Sequence, residues 1–364
     1  MRYLSLLLLL LVLSNLQAQT AGCTDPQANN YNAAATINNG SCLYTVKAYN
    51  PIEKAVLSNT LSEISGIVFF NGKILALNDG GGGNKLYLLD TTAGTILQTI
   101  TVEGAENFDW EDIAQDSEYV YVGDVGNNAN GNRTDLCVYK ILKAAFAFNG
   151  DFIIPAGSVQ KIRFSYEDQI DFSATGSNNT RFDCEAITIA RGQLHLFTKN
   201  WTGNYSVHYV LPLEAGTYKA TRLDSFNTKG YLVTGADAGG YDEIIFTAYN
   251  RLAQCVLFLV YGFDSTNMFF KTGNKRQFQL PGLFSSGQVE AICFVNSIHG
   301  FIANEKFTQG TITVSNKLRY FTTSQWIIDY YKNQPLLPEK GLLRYNTTTN
   351  KYEVFSGQIW ESIH

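Results

Sequence analysis

A short phrase occurs three times in this chain, and each copy places a glutamate at the head of an apolar run. The copies span residues 109–114, 183–188 and 288–293, and their glutamates are Glu111, Glu185 and Glu290. A second apolar run, ending in a polar residue, follows each copy about ten residues later. A unit repeated in this way indicates a repeated piece of structure. If the repeats surround an axis, the three glutamates face one another.

Hairpins of this kind, two short apolar runs joined by a turn, can be recognised five times along the chain. They span residues 64–79, 111–124, 185–200, 233–250 and 290–305. Turn signals such as Asn71 and Gly72 separate the two runs, and a third and fourth strand-like run follow several of the hairpins. Four antiparallel strands repeated around an axis are the blades of a β-propeller. We therefore predict an all-β protein, a β-propeller of five or six four-stranded blades.

The number of blades stays open because two further segments have the pattern of strands. Residues 44–55 and the hairpin at residues 342–355 could supply a sixth blade or the strand that closes the ring. Composition supports the all-β class, since the 364 residues include 31 Gly, 13% aromatic residues and 7 Pro, without sustained helical periodicity. We assign residues 44–364 to the propeller.

The amino terminus has the pattern of a secretory signal. Arg2 precedes an apolar run of about ten residues, which is too short to span a bilayer, and cleavage is expected after Ala18. We predict a signal peptide at residues 1–18 and a secreted or cell-surface protein without a transmembrane segment. In an alternative interpretation, residues 20–23 form a lipobox and Cys23 carries a lipid anchor.

The charge balance limits the partners of the chain. The formal net charge is −5, and removal of the signal with its arginine makes it more negative. A nucleic-acid partner would need a basic face, so we expect none. We expect a monomer whose partner is a small extracellular ligand or a cell-surface polymer.

Residues 22–43 form a small Asn-rich module bounded by Cys23 and Cys42. In an exported protein, a disulfide between these cysteines is the natural prediction. The module resembles one found in many secreted Bacteroidetes proteins. Its polar side chains could either ligate Ca²⁺ or cap turns of the closed loop; they are Asp25, Asn29, Asn32, Asn38 and Asn39. The other cysteines lie in apolar runs and are predicted to be buried thiols: Cys137, Cys184, Cys255 and Cys293.

In a propeller, the start of each first strand and the end of each second strand meet at one mouth of the central channel. The side chains predicted for this mouth are Ser65, Glu111, Glu185, Asp237 and Glu290 from the first strands, and Asp79, Asp124, Lys199, Asn250 and Glu305 from the second. The seven acids among them are the candidate metal ligands. Crowded carboxylates have raised pKa values unless a cation is present.

Three arrangements would relieve this crowding: a divalent cation, internal Lys or Arg partners, or hydration at a wide mouth. Hard oxygen ligands favour Ca²⁺ or Mg²⁺ over zinc, so Ca²⁺ or another divalent cation is the expected cofactor. The candidate internal partners are Lys199, Arg133 and Arg181.

Residues 110–114, 122–128 and 138–141, with Arg133, together resemble the signature of the phytase-like and esterase-like secreted propellers, and more distantly the regucalcin and gluconolactonase group. The resemblance implies a propeller fold, a divalent ion held by acids at the channel mouth and, as in some members, hydrolysis of phosphate esters or lactones. By position, it implies a catalytic role for Glu111, Glu185 and Glu290, and it matches Asp124 to the acid that closes the second strand.

The chain departs from a phytase in its basic residues. A phytate site needs many Lys and Arg side chains, whereas the candidate substrate-binding residues here are Lys199, Arg133, Arg181 and Asn200. In a metal-assisted hydrolase, the ion would polarise a carbonyl or acidify water, and a spare glutamate would act as general base. We expect an acidic mouth that binds or hydrolyses a small ester, lactone or phosphoester. The alternative is a non-catalytic propeller that binds a protein or glycan at the cell surface.

Overall fold

A computed structural model describes residues 19–240, 242–332, 343–346, 351–355 and 360–362 of the chain. The predicted signal peptide, residues 1–18, lies outside the described residues. Two compact units divide the chain, Met1–Phe321 and Thr322–His364. No helix in the described part of the chain has the length and apolar character needed to cross a membrane.

Nearly all of the first unit is β-structure, arranged in consecutive groups of strands. Four short strands precede these groups: β1 (Ala21–Gly22), β2 (Ile37–Asn38), β3 (Lys47–Ala48) and β4 (Ile52–Val56). The first group contains β5 (Ile64–Phe70), β6 (Lys73–Asn78), β7 (Lys85–Leu89) and β8 (Ile96–Val102). The second contains β9 (Trp110–Gln115), β10 (Tyr119–Asp124) and β11 (Cys137–Leu142), followed by β12 (Phe152–Ile154) and β13 (Val159–Tyr166).

The remaining groups follow the same plan. The third contains β14 (Cys184–Ala190), β15 (Gln193–Thr198), β16 (Tyr205–Leu211) and β17 (Gly216–Asn227). The fourth contains β18 (Leu232–Ala238), β19 (Glu243–Tyr249), β20 (Cys255–Tyr261) and β21 (Asn274–Gln279). The fifth contains β22 (Gln288–Asn296), β23 (His299–Glu305), a small hairpin of β24 (Phe307–Gln309) and β25 (Ile312–Val314), and β26 (Lys317–Thr322).

Within each group the strands pair in sequence order from the first strand outward. The orders are β5-β6-β7-β8, β9-β10-β11-β13, β14-β15-β16-β17, β18-β19-β20-β21 and β22-β23-β26-β4. The amino-terminal strand β4 therefore completes the fifth group, where it pairs antiparallel with β26. This is the ring-closing alternative predicted for residues 44–55. Three parallel pairs extend the sheets: β12 beside β8, β3 beside β21, and β13 beside β17.

The first strands of the groups form a closed ring. In cyclic order, β5 contacts β9, β9 contacts β14, β14 contacts β18, β18 contacts β22, and β22 contacts β5. Consecutive, mainly antiparallel sheets built on such a ring of first strands make a β-propeller, the architecture predicted from the sequence.

Apolar side chains from neighbouring groups fill the space between the sheets. Val120 and Val122 of β10 pack in a cluster with Leu77 of the first group, whereas the intervening Tyr121 packs in a cluster with Ile187 of the third. Successive strand residues point to opposite faces, so a strand covered on both faces reads as a continuous apolar run. This explains why the hairpins are legible in the sequence. The four cysteines predicted to be buried thiols are free and buried.

The amino-terminal module packs against the fourth group. A disulfide joins Cys23 to Cys42, as predicted, so in this structure Cys23 is not available for a lipid anchor. The buried Asp25 carboxylate accepts hydrogen bonds from the hydroxyls of Tyr44 (2.7 Å) and Tyr261 (2.6 Å). Arg276 Nη1 of β21 donates to Gln27 Oε1 at 2.6 Å.

The polar side chains of the module act as turn caps. Oxygens of Asp25, Asn32, Asn38 and Asn39 each accept a backbone N–H two residues further on, and Asn29 Nδ2 donates to Thr45 Oγ1. These bonds correspond to the turn-capping interpretation of the asparagines, not to the calcium one.

Helices are few and short. Three 3₁₀ turns, Asn59–Leu61, Lys143–Ala145 and Ala156–Ser158, and two α-helical turns, α1 (Phe269–Thr272) and α2 (Leu283–Ser286), connect strands of the first unit. The second unit contains α3 (Ser324–Lys332) and a three-stranded antiparallel sheet of β27 (Leu343–Asn346), β28 (Lys351–Phe355) and β29 (Trp360–Ser362). The predicted hairpin at residues 342–355 corresponds to the antiparallel pair β27 and β28, which belongs to the second unit.

Candidate metal centre at the channel mouth

Every first strand of the ring carries a β-bulge near its start. At this bulge the pairing register skips one residue of the strand, and the skipped residues are Ser65, Glu111, Glu185, Thr234 and Glu290. A bulge re-aims the side chain of its extra residue because that residue has no partner across the hairpin. The glutamates of the repeated phrase are therefore the bulge residues of the second, third and fifth groups.

The two neutral bulge residues bind the next strand of the ring. Ser65 Oγ donates to Trp110 O at 3.3 Å, and Thr234 Oγ1 donates to Val289 O at 2.7 Å. Trp110 and Val289 immediately precede the bulge residues of the second and fifth groups. An ionised glutamate cannot donate such a bond.

In each hairpin, the residue just before the bulge residue pairs with a residue of the second strand. These second-strand partners are Asn78, Asp124, Thr198, Ala248 and Asn304. The residues that follow them in the chain are Asp79, Val125, Lys199, Tyr249 and Glu305. Four of these, all except Val125, line the same cavity as the three bulge glutamates.

This cavity has a volume of about 210 Å³ and forms the mouth of the channel. Its lining consists of acids, amides, one lysine and two aromatic rings: Ser65, Asp79, Glu111, Asn128, Asn178, Glu185, Lys199, Trp201, Tyr249, Gln288, Glu290 and Glu305. The structure thus brings together seven of the ten side chains predicted for the mouth from the sequence: Ser65, Asp79, the three bulge glutamates, Lys199 and Glu305.

Two overlapping triads of carboxylates lie on one side of this mouth. Asp79, Asp109 and Glu111 form one triad, and Glu111, Asp183 and Glu185 form the other. Within each triad the candidate ligand atoms all lie within 4.8 Å of one another. Glu111 belongs to both. The set contains carboxylates and no sulfur or imidazole, which suits Ca²⁺ or Mg²⁺.

Sequence analysis did not select Asp109 and Asp183 as site residues. Both begin a copy of the repeated phrase, two residues before its glutamate. Side chains at i and i+2 of an extended chain point to the same side, so this spacing was the available signal.

Neighbouring groups hold these carboxylates in place. Asp183 accepts hydrogen bonds from the indole Nε1 of Trp201 at 2.7 Å and from the backbone N of Asn127 at 2.6 Å. Gly126 packs directly against Glu111 and Asp109, where a Cβ atom would overlap carboxylate oxygens of both residues. The glycine therefore permits the close approach of the two acids.

Burial raises the pKa values of Asp79, Asp109 and Glu111. For Asp109, burial and then the charges of Asp79 and Asp183 raise the pKa to about 7. The pKa of Glu111 is raised well above its ordinary range by burial, followed by the charges of Glu185 and Asp79. Burial also raises the pKa of Asp79. Without a cation, these groups favour their protonated forms.

One ion pair is built into the mouth. Lys199 Nζ lies 2.9 Å from Glu185 Oε2, and both side chains are buried. The ammonium group also lies over the rings of Trp201 and Tyr249, at 5.1 and 5.2 Å from their centroids. Burial alone would lower the pKa of Lys199, but Glu185, Tyr249 and Glu290 together outweigh burial and the pKa is raised. Lys199 is thus a permanent cation that compensates Glu185.

Other carboxylate oxygens of the mouth have no protein partner. In the described part of the chain, Glu290 Oε2 is buried and accepts no hydrogen bond, whereas its Oε1 accepts one from Gln288 Nε2 at 2.5 Å. Glu111 is 3% exposed, and no hydrogen bond or ion pair to its carboxylate is formed among the described residues. Buried polar atoms ordinarily have partners, so these oxygens fit an added cation or ligand.

Several residues proposed for the site lie elsewhere. Asp124 is one residue before the mouth position of its strand and does not line the cavity; its Oδ1 accepts the backbone N–H of Asp109 at 3.0 Å and lies 3.1 Å from Arg133 Nη2. Arg133 also donates to Gly126 O and pairs with Asp135. Arg181 pairs with Asp168 at 3.4 Å, and Asn200 caps a turn by accepting the N–H of Thr202.

Asp237 and Asn250 are displaced for the same kind of reason. The bulge of β18 falls at Thr234, three residues before Asp237, and the Asp237 carboxylate accepts the backbone N–H of Phe294 at 2.7 Å. Tyr249, the residue before Asn250, lines the cavity. Asp237 and Asn250 are absent from the lining of the mouth.

Below the mouth, the buried aspartate Asp112 connects three first strands of the ring. Asp112 Oδ1 accepts the N–H of Ile113 at 2.8 Å, and Oδ2 accepts those of Ile187 at 2.9 Å and Ala236 at 3.3 Å. These donors belong to β9, β14 and β18. One carboxylate therefore bridges three first strands across the channel.

Comparison with known proteins finds solved structures at low similarity only. No family model and no curated protein matches the sequence. The chain is similar to the calcium-binding protein regucalcin from Agrobacterium tumefaciens, with 8% identity and a TM-score of 0.41 over 76% of this chain and 97% of that one. It is also similar to the PQQ-bound aldose sugar dehydrogenase from Streptomyces coelicolor, with 8% identity and a TM-score of 0.40 over 74% and 96%. Similarity at this level assigns no activity or ligand to this chain.

Proposed function

We propose that the chain is an exported five-bladed β-propeller whose channel mouth binds a divalent cation, Ca²⁺ by preference, and uses it on a small extracellular ligand. The blade number rests on the closed ring of five first strands. Export rests on the signal-like amino terminus and on the disulfide between Cys23 and Cys42, a bond typical of oxidising compartments.

The single observation that carries the cation site is the convergence of Asp79, Asp109, Glu111 and Asp183 on one small volume without enough positive charge. Lys199 is the cation of the cavity lining, and it is already paired with Glu185. Arg133 is paired with Asp124 and Asp135. A divalent ion would supply the missing charge and the partners that the Glu111 carboxylate lacks.

The same geometry supports a small ligand. A cavity of about 210 Å³ suits a compact molecule, and its amides and hydroxyl can fix the orientation of a polar ligand. When bound, the cation would polarise a carbonyl or phosphoryl oxygen. Lys199 stays charged and can steady negative charge that develops on the ligand.

Glu290 is the best placed general base. It lines the cavity outside both triads, and one of its oxygens is free of hydrogen bonds among the described residues. Burial raises the pKa of Glu290, and the charge of Lys199 opposes this rise in part. The net upward shift moves the pKa towards the range in which a carboxylate can accept a proton near neutral pH. Hydrolysis of a small ester or lactone is the reaction class that uses these groups together.

Calcium titration of the chelator-treated mature protein tests the cation site. We expect binding of Ca²⁺ by the wild type and at least about a hundredfold weaker binding by Glu111→Gln, since Glu111 belongs to both triads. Glu118→Gln is the matched control, because this exposed glutamate lies in the turn at the far end of the same hairpin. Equal affinity in all three proteins would contradict the proposal.

A panel of small esters, lactones and phosphoesters, assayed with saturating Ca²⁺, tests the chemistry separately. We expect Glu290→Gln to retain Ca²⁺ binding and to lose turnover of whichever substrate the wild type hydrolyses. If Ca²⁺ binds and every substrate is inert, the cation site stands and the hydrolase is excluded for these classes.

A further inference from the structure

A second cavity, of about 380 Å³, lies where the fourth and fifth blades meet the amino-terminal strand β4. It shares no lining residue with the channel mouth. Arg319 of β26 reaches its surface, and Pro51, Ile52 and Pro281 form apolar parts of its wall. The volume is in the range of pockets that bind small organic molecules.

The guanidinium group of Arg319 is held firmly in this cavity. Arg319 is 7% exposed, and its Nη1 donates to Asn304 Oδ1 at 2.6 Å. Asn304 is fully buried, and its Nδ2 donates to the backbone oxygens of Glu305 at 2.7 Å and Ser315 at 3.0 Å. Because both ends of this contact are fixed, the remaining guanidinium N–H groups have a defined direction.

The charge of Arg319 is not compensated by the protein. Across the described residues, no carboxylate lies within 4.0 Å of its nitrogens, and its cross-strand partner Glu53 pairs instead with Lys317 at 2.8 Å. By contrast, Arg133 and Arg191 both have aspartate partners. Burial lowers the pKa of Arg319, and Glu53 offsets this only in part. A buried cation without an anion is costly.

We propose that this cavity binds a small organic carboxylate, whose ionised group pairs with Arg319. The planar guanidinium presents parallel N–H donors that match the two oxygens of a carboxylate. The apolar walls formed by Pro51, Ile52 and Pro281 take up the body of the ligand. The ligand displaces no existing partner, because the Asn304 contact uses one nitrogen only.

Benzoate is a suitable probe, because it joins a carboxylate to a compact apolar body. Its binding to the mature protein is measured by calorimetry with a chelator present, so that no cation at the mouth can hold the carboxylate. We expect benzoate to bind, and benzamide, its uncharged analogue, to bind at least tenfold more weakly. Arg319→Gln should weaken benzoate binding at least tenfold, whereas Arg163→Gln, which removes an exposed arginine from β13, should not.

Glu53→Gln gives a test that does not depend on the folding of the Arg319 variant. It removes the carboxylate nearest to Arg319 along the strand pair, so benzoate binding should strengthen. Failure of benzoate to bind in the millimolar range, an unchanged affinity in Glu53→Gln, or phosphate binding as tight as that of benzoate would each overturn the carboxylate assignment. None of these outcomes bears on the calcium site, which the chelator removes from the measurement.

Discussion

Calcium binding at the mouth should release protons, because raised pKa values favour the protonated forms of two acids that would hold the ion. The pKa of Asp109 is about 7, so this group is half protonated at pH 7. The pKa of Glu111 is shifted in the same direction, well above its ordinary range. Cation ligation requires the ionised form of each acid, so binding at pH 7 should release protons, and Asp109 should supply about half a proton.

The same proton count fixes the pH dependence of the affinity. The slope of log affinity against pH equals the number of protons released, so affinity should rise between pH 6.5 and 7.5. Above pH 8 the contribution of Asp109 should fade, since it is then ionised in the free protein.

Calorimetry in two buffers with different ionisation enthalpies, such as MOPS and Tris, measures the released protons directly. Asp109→Asn, titrated at saturating Ca²⁺, should release about half a proton fewer at pH 7, and Glu118→Gln should match the wild type. The same binding enthalpy in both buffers, or an affinity that does not change with pH, would show that the acids are already ionised in the free protein. The electrostatic argument for the cation site would then fail.

Two further predictions concern the framework of the site. Gly126→Ala should abolish Ca²⁺ binding, because the added methyl group would overlap Glu111 and Asp109. Gly157→Ala, where a Cβ meets nothing within 4 Å, should bind Ca²⁺ normally. Calcium titration of both variants checks this. Asp112→Asn should lower the free energy of unfolding by about 2 to 4 kcal/mol, because an amide N–H₂ would face backbone donors that now share a carboxylate; urea unfolding with an unchanged midpoint would count against this.

The sequence predicted the ring well because each hairpin is buried on both faces. In β10, for example, Val120, Tyr121 and Val122 pack between neighbouring blades, and such runs between turn residues are legible without a structure. The closing strand β4 could not be assigned, because its residues are mostly exposed and its pairing partner, β26, lies more than two hundred residues away. Its pairing depends on the geometry of the whole ring.

The site was predicted in part, and the failures concern how far along a strand a residue stands. Glu111, Glu185 and Glu290 were placed at the mouth by following the repeated phrase, and Asp79 and Glu305 by following the ends of the second strands. Asp124 stands one residue before the mouth position of β10, and Asp237 stands three residues after the bulge residue of β18, so neither lines the cavity. No residue type marks these bulges, since the positions hold serine, threonine or glutamate. The partners of Arg133 and Arg181 likewise depend on loops whose course the sequence does not specify.

The bulges also separate the framework of this protein from its chemistry. Each bulge residue is surplus to the pairing of its own hairpin, so the ladder would be the same with another side chain at that point. The hydroxyls of Ser65 and Thr234 form hydrogen bonds to the neighbouring strands, whereas Glu111, Glu185 and Glu290 line the cavity. The bulge positions of the ring are thus interchangeable. A lineage of such proteins could exchange acid for hydroxyl at a bulge position, and so move, duplicate or delete the ion site, without changing the strands of a blade.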